Sequence, residues 1–241
     1  MRRTNPLHSI AATLIIALFS YAARADLLYY GGDGDPPLAQ LNQKNFTSPD
    51  DFQYDDFEVP AGQQWSMASL FGTIVYNNAT HGPLNSPVSA QAYYEIRTGV
   101  SAGNGGSLLF SGTAPATSDA GAMTGGYQDY LFTASPASPI TLAPGTYWLA
   151  LAPIDSGANY AYIRETDGTN GIGPTAGDVS SYSTIGGGAA FVPQAADLSI
   201  GVTGTASPVP EPGAIAAVAA TFALLMCSRS RKGGTQLPRL R

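Results

Sequence analysis

The chain holds one cysteine, Cys227, and two histidines, His8 and His81. With a single thiol no disulfide can close within the chain. A Ser-His-Asp triad in the body of the chain would have to be built on His81, which stands in the loop-like stretch "NNATHGPLNSP". Structural zinc needs three or four nitrogen or sulfur ligands, and these are missing. Bases are scarce as well. From Asp26 to Pro212 stand seventeen acids against three bases, Lys44, Arg97 and Arg164, a balance of −14. A surface of that sign repels phosphate backbones and excludes nucleic acid as a partner. Helical spacing of apolar residues is almost absent between the two ends, which turns attention to strands.

Both ends are apolar, and each carries a charge signature. "MRRTNPLHSIAATLIIALFSYAARA" places Arg2 and Arg3 before an apolar run and ends in Ala23-Arg24-Ala25, the small-x-small pattern that signal peptidase cuts. Residues 1–25 are therefore read as a signal peptide, with Asp26 the first mature residue. At the other end "VPEPGAIAAVAATFALLMCSRSRK" holds an uncharged stretch from Gly213 to Cys227. As a helix it would be about 22 Å long at ~1.5 Å per residue, short for a ~30 Å hydrocarbon core. Pro210 and Pro212 bar regular structure from entering it. Arg229, Arg231 and Lys232 follow and would hold its far end in the cytoplasm. Residues 213–228 are read as a transmembrane helix and 229–241 as a basic cytoplasmic tail.

The order of Val209-Pro210-Glu211-Pro212, a short apolar helix and an arginine cluster resembles the PEP-CTERM sorting signal of exported proteins in biofilm-forming bacteria. The resemblance implies an exosortase-type membrane enzyme as partner, reading Pro210, Glu211 and Pro212 and processing the chain near them. The tail "GGTQLPRLR" runs a few residues longer than is usual there.

Residues 26–205 predict one all-β ectodomain, an antiparallel β-sandwich of jelly-roll type, joined to the helix by a proline-bearing linker at 206–212. Strands are expected at 27–30, 52–59, 65–76, 90–98, 107–112, 127–133, 145–153, 160–165, 189–193 and 197–204, where Tyr, Val, Thr and Phe cluster between Gly and Pro. In 52–59 the apolar alternation slips one step, which predicts a bulge near Asp55-Asp56. Stretches 111–126 and 166–181 read as long, mobile loops. Pro60-Ala61-Gly62 and Pro144-Gly145 read as tight turns. Trp65 and Trp148 are expected in the inter-sheet core. "YDDFEVPAGQQW" and "TLAPGTYWLAL" are similar to pieces of exported choice-of-anchor ectodomains.

Chemistry is harder to locate. A glycosidase needs two carboxylates across a cleft, and no spacing singles out a pair. The chain is read as a non-enzyme without a resident cofactor. Aspartates near glycines in "GGDGDPP" suggest calcium, with Asp33 and Asp35 as first ligands, although no EF-hand run is present. Tyrosines 29, 30, 93, 94, 127, 130, 160 and 162 offer flat amphipathic faces of the kind that hold sugars. The functional expectation is an exported structural protein of the cell surface or extracellular matrix, associated with exopolysaccharide. A carbohydrate-binding module on the same anchor is the alternative, and a glycosidase a remote one.

Overall fold

The computed structural model describes residues 25–35, 38–45, 50–78, 89–124, 126–155, 159–184 and 190–209. Ala23, His81, the Pro210-Glu211-Pro212 motif, the segment 213–228 and the basic residues Arg229, Arg231 and Lys232 lie outside them. Among the described residues no helix is long and apolar enough to cross a membrane.

The described chain is all-β. In order its strands are β1 Asp26–Tyr30, β2 Ala39–Leu41, β3 Lys44–Asn45, β4 Phe52–Val59, β5 Gln63–Asn78, β6 Gln91–Thr98, β7 Ser107–Thr124 and β8 Tyr127–Ala134. Then follow β9 Ile140–Leu142, β10 Gly145–Asp155, β11 Asn159–Thr166, β12 Ser181–Thr184, β13 Val192–Gln194, β14 Asp197–Leu198 and β15 Ile200–Pro208. They form one curled sheet in the order β1-β15-β5-β8-β7-β6-β10-β4-β12-β13. Strands β11 and β9 add to β5, and β2 and β14 add to β11. Pairing is antiparallel except for the short β3–β10 pair. The curl comes from β7, which pairs with β6 up to Pro115 and with β8 from Ala116 onward.

The two halves of the sheet share a core. Phe57 and Val59 of β4, Ile96 of β6 and Leu149 and Leu151 of β10 meet Trp65, Met67, Leu70 and Ile74 of β5 and Phe132 of β8. Phe57 is the centre of the aromatic part, 6.1 Å from a nearly parallel Trp65, 5.7 Å from Tyr147 and 5.9 Å from Tyr29. Each such pair adds about 0.5–1.5 kcal/mol beyond its buried area. The turn before β5 forms as its residues require, with Gly62 at φ 77° and the Gln63 N–H donating to the Pro60 carbonyl at 3.1 Å.

Several sequence expectations change. β4 carries no bulge: its register with β10 and β12 is continuous through Asp55 and Asp56. The apolar phase shifts because the strand is buried on both faces. Phe52 and Tyr54 pack on the outer side, Phe57 and Val59 on the core side. Trp148 also faces outward, opposite Arg97 and Asp56, and is half-buried against Phe52, Tyr54 and Phe191; Trp65 alone of the two enters the core. Residues 111–124 are strand, since pairing with β6 up to Pro115 and with β8 beyond it outweighs their small, weakly β-prone side chains. β15 runs through Pro208, beyond the expected domain end, with Val209 N–H bonded to Gly62 at 2.8 Å. The strand expected at 189–193 is observed at Val192–Gln194. β2, β3, β9 and β12 have two to four residues, too short for alternation to show.

Candidate functional site

One outward face of the sheet departs from the usual solvated surface. On β5 the register sends Ile74 and Tyr76 into the core and Val75 and Asn77 outward. Opposite them on β11, Tyr162 and Tyr160 also point outward, with Arg164 one further step along, and Asp129 of β8 lies across from Val75. Yet Val75 is buried, Asn77 is only 6% exposed and Arg164 only 2%. Tyr160 is paired with Asn77 and Tyr162 with Val75 across the β5–β11 seam. The result is a concavity of about 200 Å³ lined by Ala39, Val75, Asn77, Tyr127, Tyr162 and Arg164.

Its charge is internally balanced. Arg164 donates from Nε and Nη2 to Asp129 Oδ1 at 2.9 and 2.7 Å. Burial pushes the Tyr162 phenol above its ordinary pKa, and Tyr160 and Tyr127 add to the effect. Asn77 Oδ1 is the exception, a buried acceptor that receives no hydrogen bond. Such an atom costs about 1–3 kcal/mol unless something donates to it.

The opposite outward face is closed. Glu95 Oε2 accepts from Tyr54 at 2.9 Å and from Arg97 Nε at 2.7 Å, while Oε1 accepts from Tyr93 at 2.8 Å. Arg97 lies over the rings of Tyr54 and Phe191, and Lys44 over those of Phe52 and Tyr93. Lys44 also pairs with Asp50. These contacts stitch the Phe191 segment and β3 onto the sheet.

A third cluster gathers Asp55, Asp56, Asp178 and Asp197, and none of the ion pairs among the described residues includes them. Burial raises all four, and neighbouring aspartates add to it at Asp55, Asp56 and Asp178; Asp56 is pushed up to about 7. Two of them tie down backbone: Asp55 Oδ2 accepts from Leu198 N–H at 3.0 Å and Asp197 Oδ1 from Ser180 N–H at 3.1 Å. Among the described residues no three such side chains converge in a way that could hold a metal ion.

Among the described residues neither Asp33 nor Asp35 belongs to a group of three or more carboxylate, histidine or cysteine side chains that could hold a metal ion. Asp33 accepts from Tyr30 at 3.0 Å and from Asn170 at 2.7 Å. The glycines around it permit close approach, since a Cβ on Gly31 would fall 2.2 Å from the Leu198 carbonyl and one on Gly32 2.5 Å from Thr166 Oγ1. Segment 31–35 and loop 167–180 are thereby stapled together. Tyr30 exchanges backbone bonds with Ile172 at 2.9 and 2.7 Å, and Asp33 N–H reaches Thr169 at 2.8 Å. The loop read as mobile is held to segment 31–35 by these backbone bonds.

Of the eight tyrosines named from the sequence, Tyr127 and Tyr162 line the concavity with Tyr160 beside them. Tyr29 and Tyr130 are core, Tyr94 packs against it, Tyr30 leans on Phe71 and Tyr93 belongs to the Glu95 network. Asn77 and Arg164 carried no sequence signal, because only the β5–β11 pairing brings them together. No known protein family matches the chain, and neither a curated protein nor a solved structure matches it.

Proposed function

We propose that this chain is an exported bacterial protein of the cell surface or extracellular matrix, a jelly-roll-type β-sandwich made as a membrane-anchored precursor and processed through Pro210-Glu211-Pro212 by an exosortase-type enzyme. The observation that carries the reading joins sequence and fold. β1 begins at Asp26, directly after the Ala23-Arg24-Ala25 pattern, and β15 ends at Pro208, directly before the VPEP motif. The two strands are antiparallel neighbours, with Asp26 opposite Gly204. The residues that adjoin the two proposed membrane-directed segments, Asp26 and Pro208, thus stand at one end of one edge. An export signal and a sorting signal can engage the same membrane there without threading around the domain.

The motif suits its role chemically. Proline at 210 and 212 fixes φ near −65° and resists helix, a chemistry that suits a tag read in extended form around Glu211. The strongly acidic body keeps the released domain soluble. The test compares the full chain with Glu211→Ala in a host carrying the exosortase, by intact mass and cell fractionation. The unaltered chain is expected to lose residues 213–241 and to reach the surface or medium, and the variant to stay full length in the membrane. If both retain residues 213–241, a plain membrane anchor replaces the sorting reading.

A further inference from the structure

We infer that the concavity on the β2–β11–β5–β8 face binds a single neutral sugar unit of a glycan, with Asn77 Oδ1 accepting a ring hydroxyl and Tyr127 and Tyr162 lying against its apolar face. Three observations lead there. The first is the orphaned acceptor. Asn77 is almost wholly buried, lines the concavity, and its carbonyl oxygen has no donor. A ligand that reaches this enclosed oxygen gains by bringing a hydrogen-bond donor, and a sugar hydroxyl is a neutral group that can do so. The second is the wall chemistry. Two tyrosines flank the acceptor, which suits a ring with one apolar face and polar edges. The third is size and charge. About 200 Å³ is below the ~300–1,000 Å³ of sites for drug-sized molecules, so one ring enters and a longer chain must continue outside. Arg164 is paired with Asp129, and the body around it has a balance of −14, so an acidic sugar would be repelled.

The position suits a surface ligand. Gln63 pairs with Pro208 at the end from which the chain leaves, whereas Asn77 is at the other end of β5. At ~3.3 Å per residue the two are separated by up to roughly 45 Å of strand. The binding proposal stands on the concavity alone, and only this outward orientation rests on the sorting reading above.

The test is saturation-transfer NMR on the purified full chain with the methyl glycosides of glucose, galactose, mannose and N-acetylglucosamine, and with glucuronate. Transfer to at least one neutral glycoside at millimolar concentration is expected, with less to glucuronate. Asn77→Leu and Tyr162→Ala should each weaken that binding at least tenfold, while Tyr182→Ala on the opposite face leaves it unchanged. Asn77→Leu is near-isosteric and removes an unpaired oxygen, so its melting temperature should equal or exceed that of the unaltered chain. Absence of transfer to every neutral glycoside overturns the proposal. So does preference for glucuronate, binding that survives Asn77→Leu, or a lowered melting temperature for that variant. Glu211→Ala should bind as the unaltered chain does, which separates this result from the outcome for sorting.

Discussion

Tyr54 and Asp55 are neighbours on β4, yet they enter two opposite kinds of buried polar cluster. Around Tyr54 the phenols and the guanidinium share one acceptor: Glu95 takes Tyr54, Tyr93 and Arg97, and the cation lies over aromatic faces, while the nearby Trp148 indole N–H goes without an acceptor. Around Asp55 four carboxyls gather without a base, and one oxygen each of Asp56 and Asp197 accepts nothing. The first arrangement strengthens the fold. The second opposes it whenever its members are charged. Two residues on one strand thus differ in what they do because their side chains face different sheet surfaces.

The largest expected effect is on the matched side. Glu95→Ala would leave two phenols and a guanidinium without their acceptor, a loss of about 3 kcal/mol, at the low end for a buried pair because Arg97 retains some solvent. At ~2–4 °C per kcal/mol that is a fall of roughly 6–12 °C in thermal denaturation. Glu95→Gln, which keeps an acceptor, should recover part of it. A loss of under ~1 °C for the alanine variant would show the network to be ornamental.

The unmatched side should respond to pH with the opposite sign from most carboxylates. Asp55, Asp56, Asp178 and Asp197 are raised in the folded chain, Asp56 to about 7. Between roughly pH 4 and 7 the folded state therefore holds more protons than the unfolded one, and stability falls as pH rises through that window. Melting at pH 5 is expected to exceed melting at pH 8 by an amount on the order of 2 kcal/mol. Asp55→Asn, which can still accept from Leu198 N–H, should flatten the profile and raise stability at pH 8. A profile that rises from pH 5 to 8 in both chains would put the cluster's charge elsewhere.

The smallest effect lies in the loop that carries Asp178. Val179 is β-branched and holds φ at 63°, a conformation such residues avoid, beside the Ser180 N–H that Asp197 captures. Val179→Gly is expected to raise stability by about 1 kcal/mol, read from the same melts. A drop would mean that the valine side chain contributes packing that outweighs the strain.

How much of this could be read from the chain is uneven for physical reasons. β4, β5, β6 and β8 are long, aromatic-rich and bounded by Gly or Pro, so local composition found them. The turn at Gly62 was equally legible, because a glycine after Pro-Ala has few other uses. β7 was cut short at its Gly-, Ala- and Ser-rich second half, where strand conformation is imposed by β8 and not by propensity. Trp148 was assigned to the wrong face because alternation within β10 does not say which face is the core when both are covered.

By itself the sequence determined the all-β class, the main strands, the tight turn before Trp65 and the acidic character of the body. These follow from period, punctuation and composition, which are local or additive. Tertiary structure alone decided that β4 would bury both faces and that four aspartates would meet without a basic partner among the described residues. It alone also set Asn77 of β5 into one concavity with Tyr162 of β11, more than eighty positions later, with its oxygen unpaired. Those outcomes depend on register between strands far apart in the chain, and a slip of one residue would turn every one of those side chains to the other face.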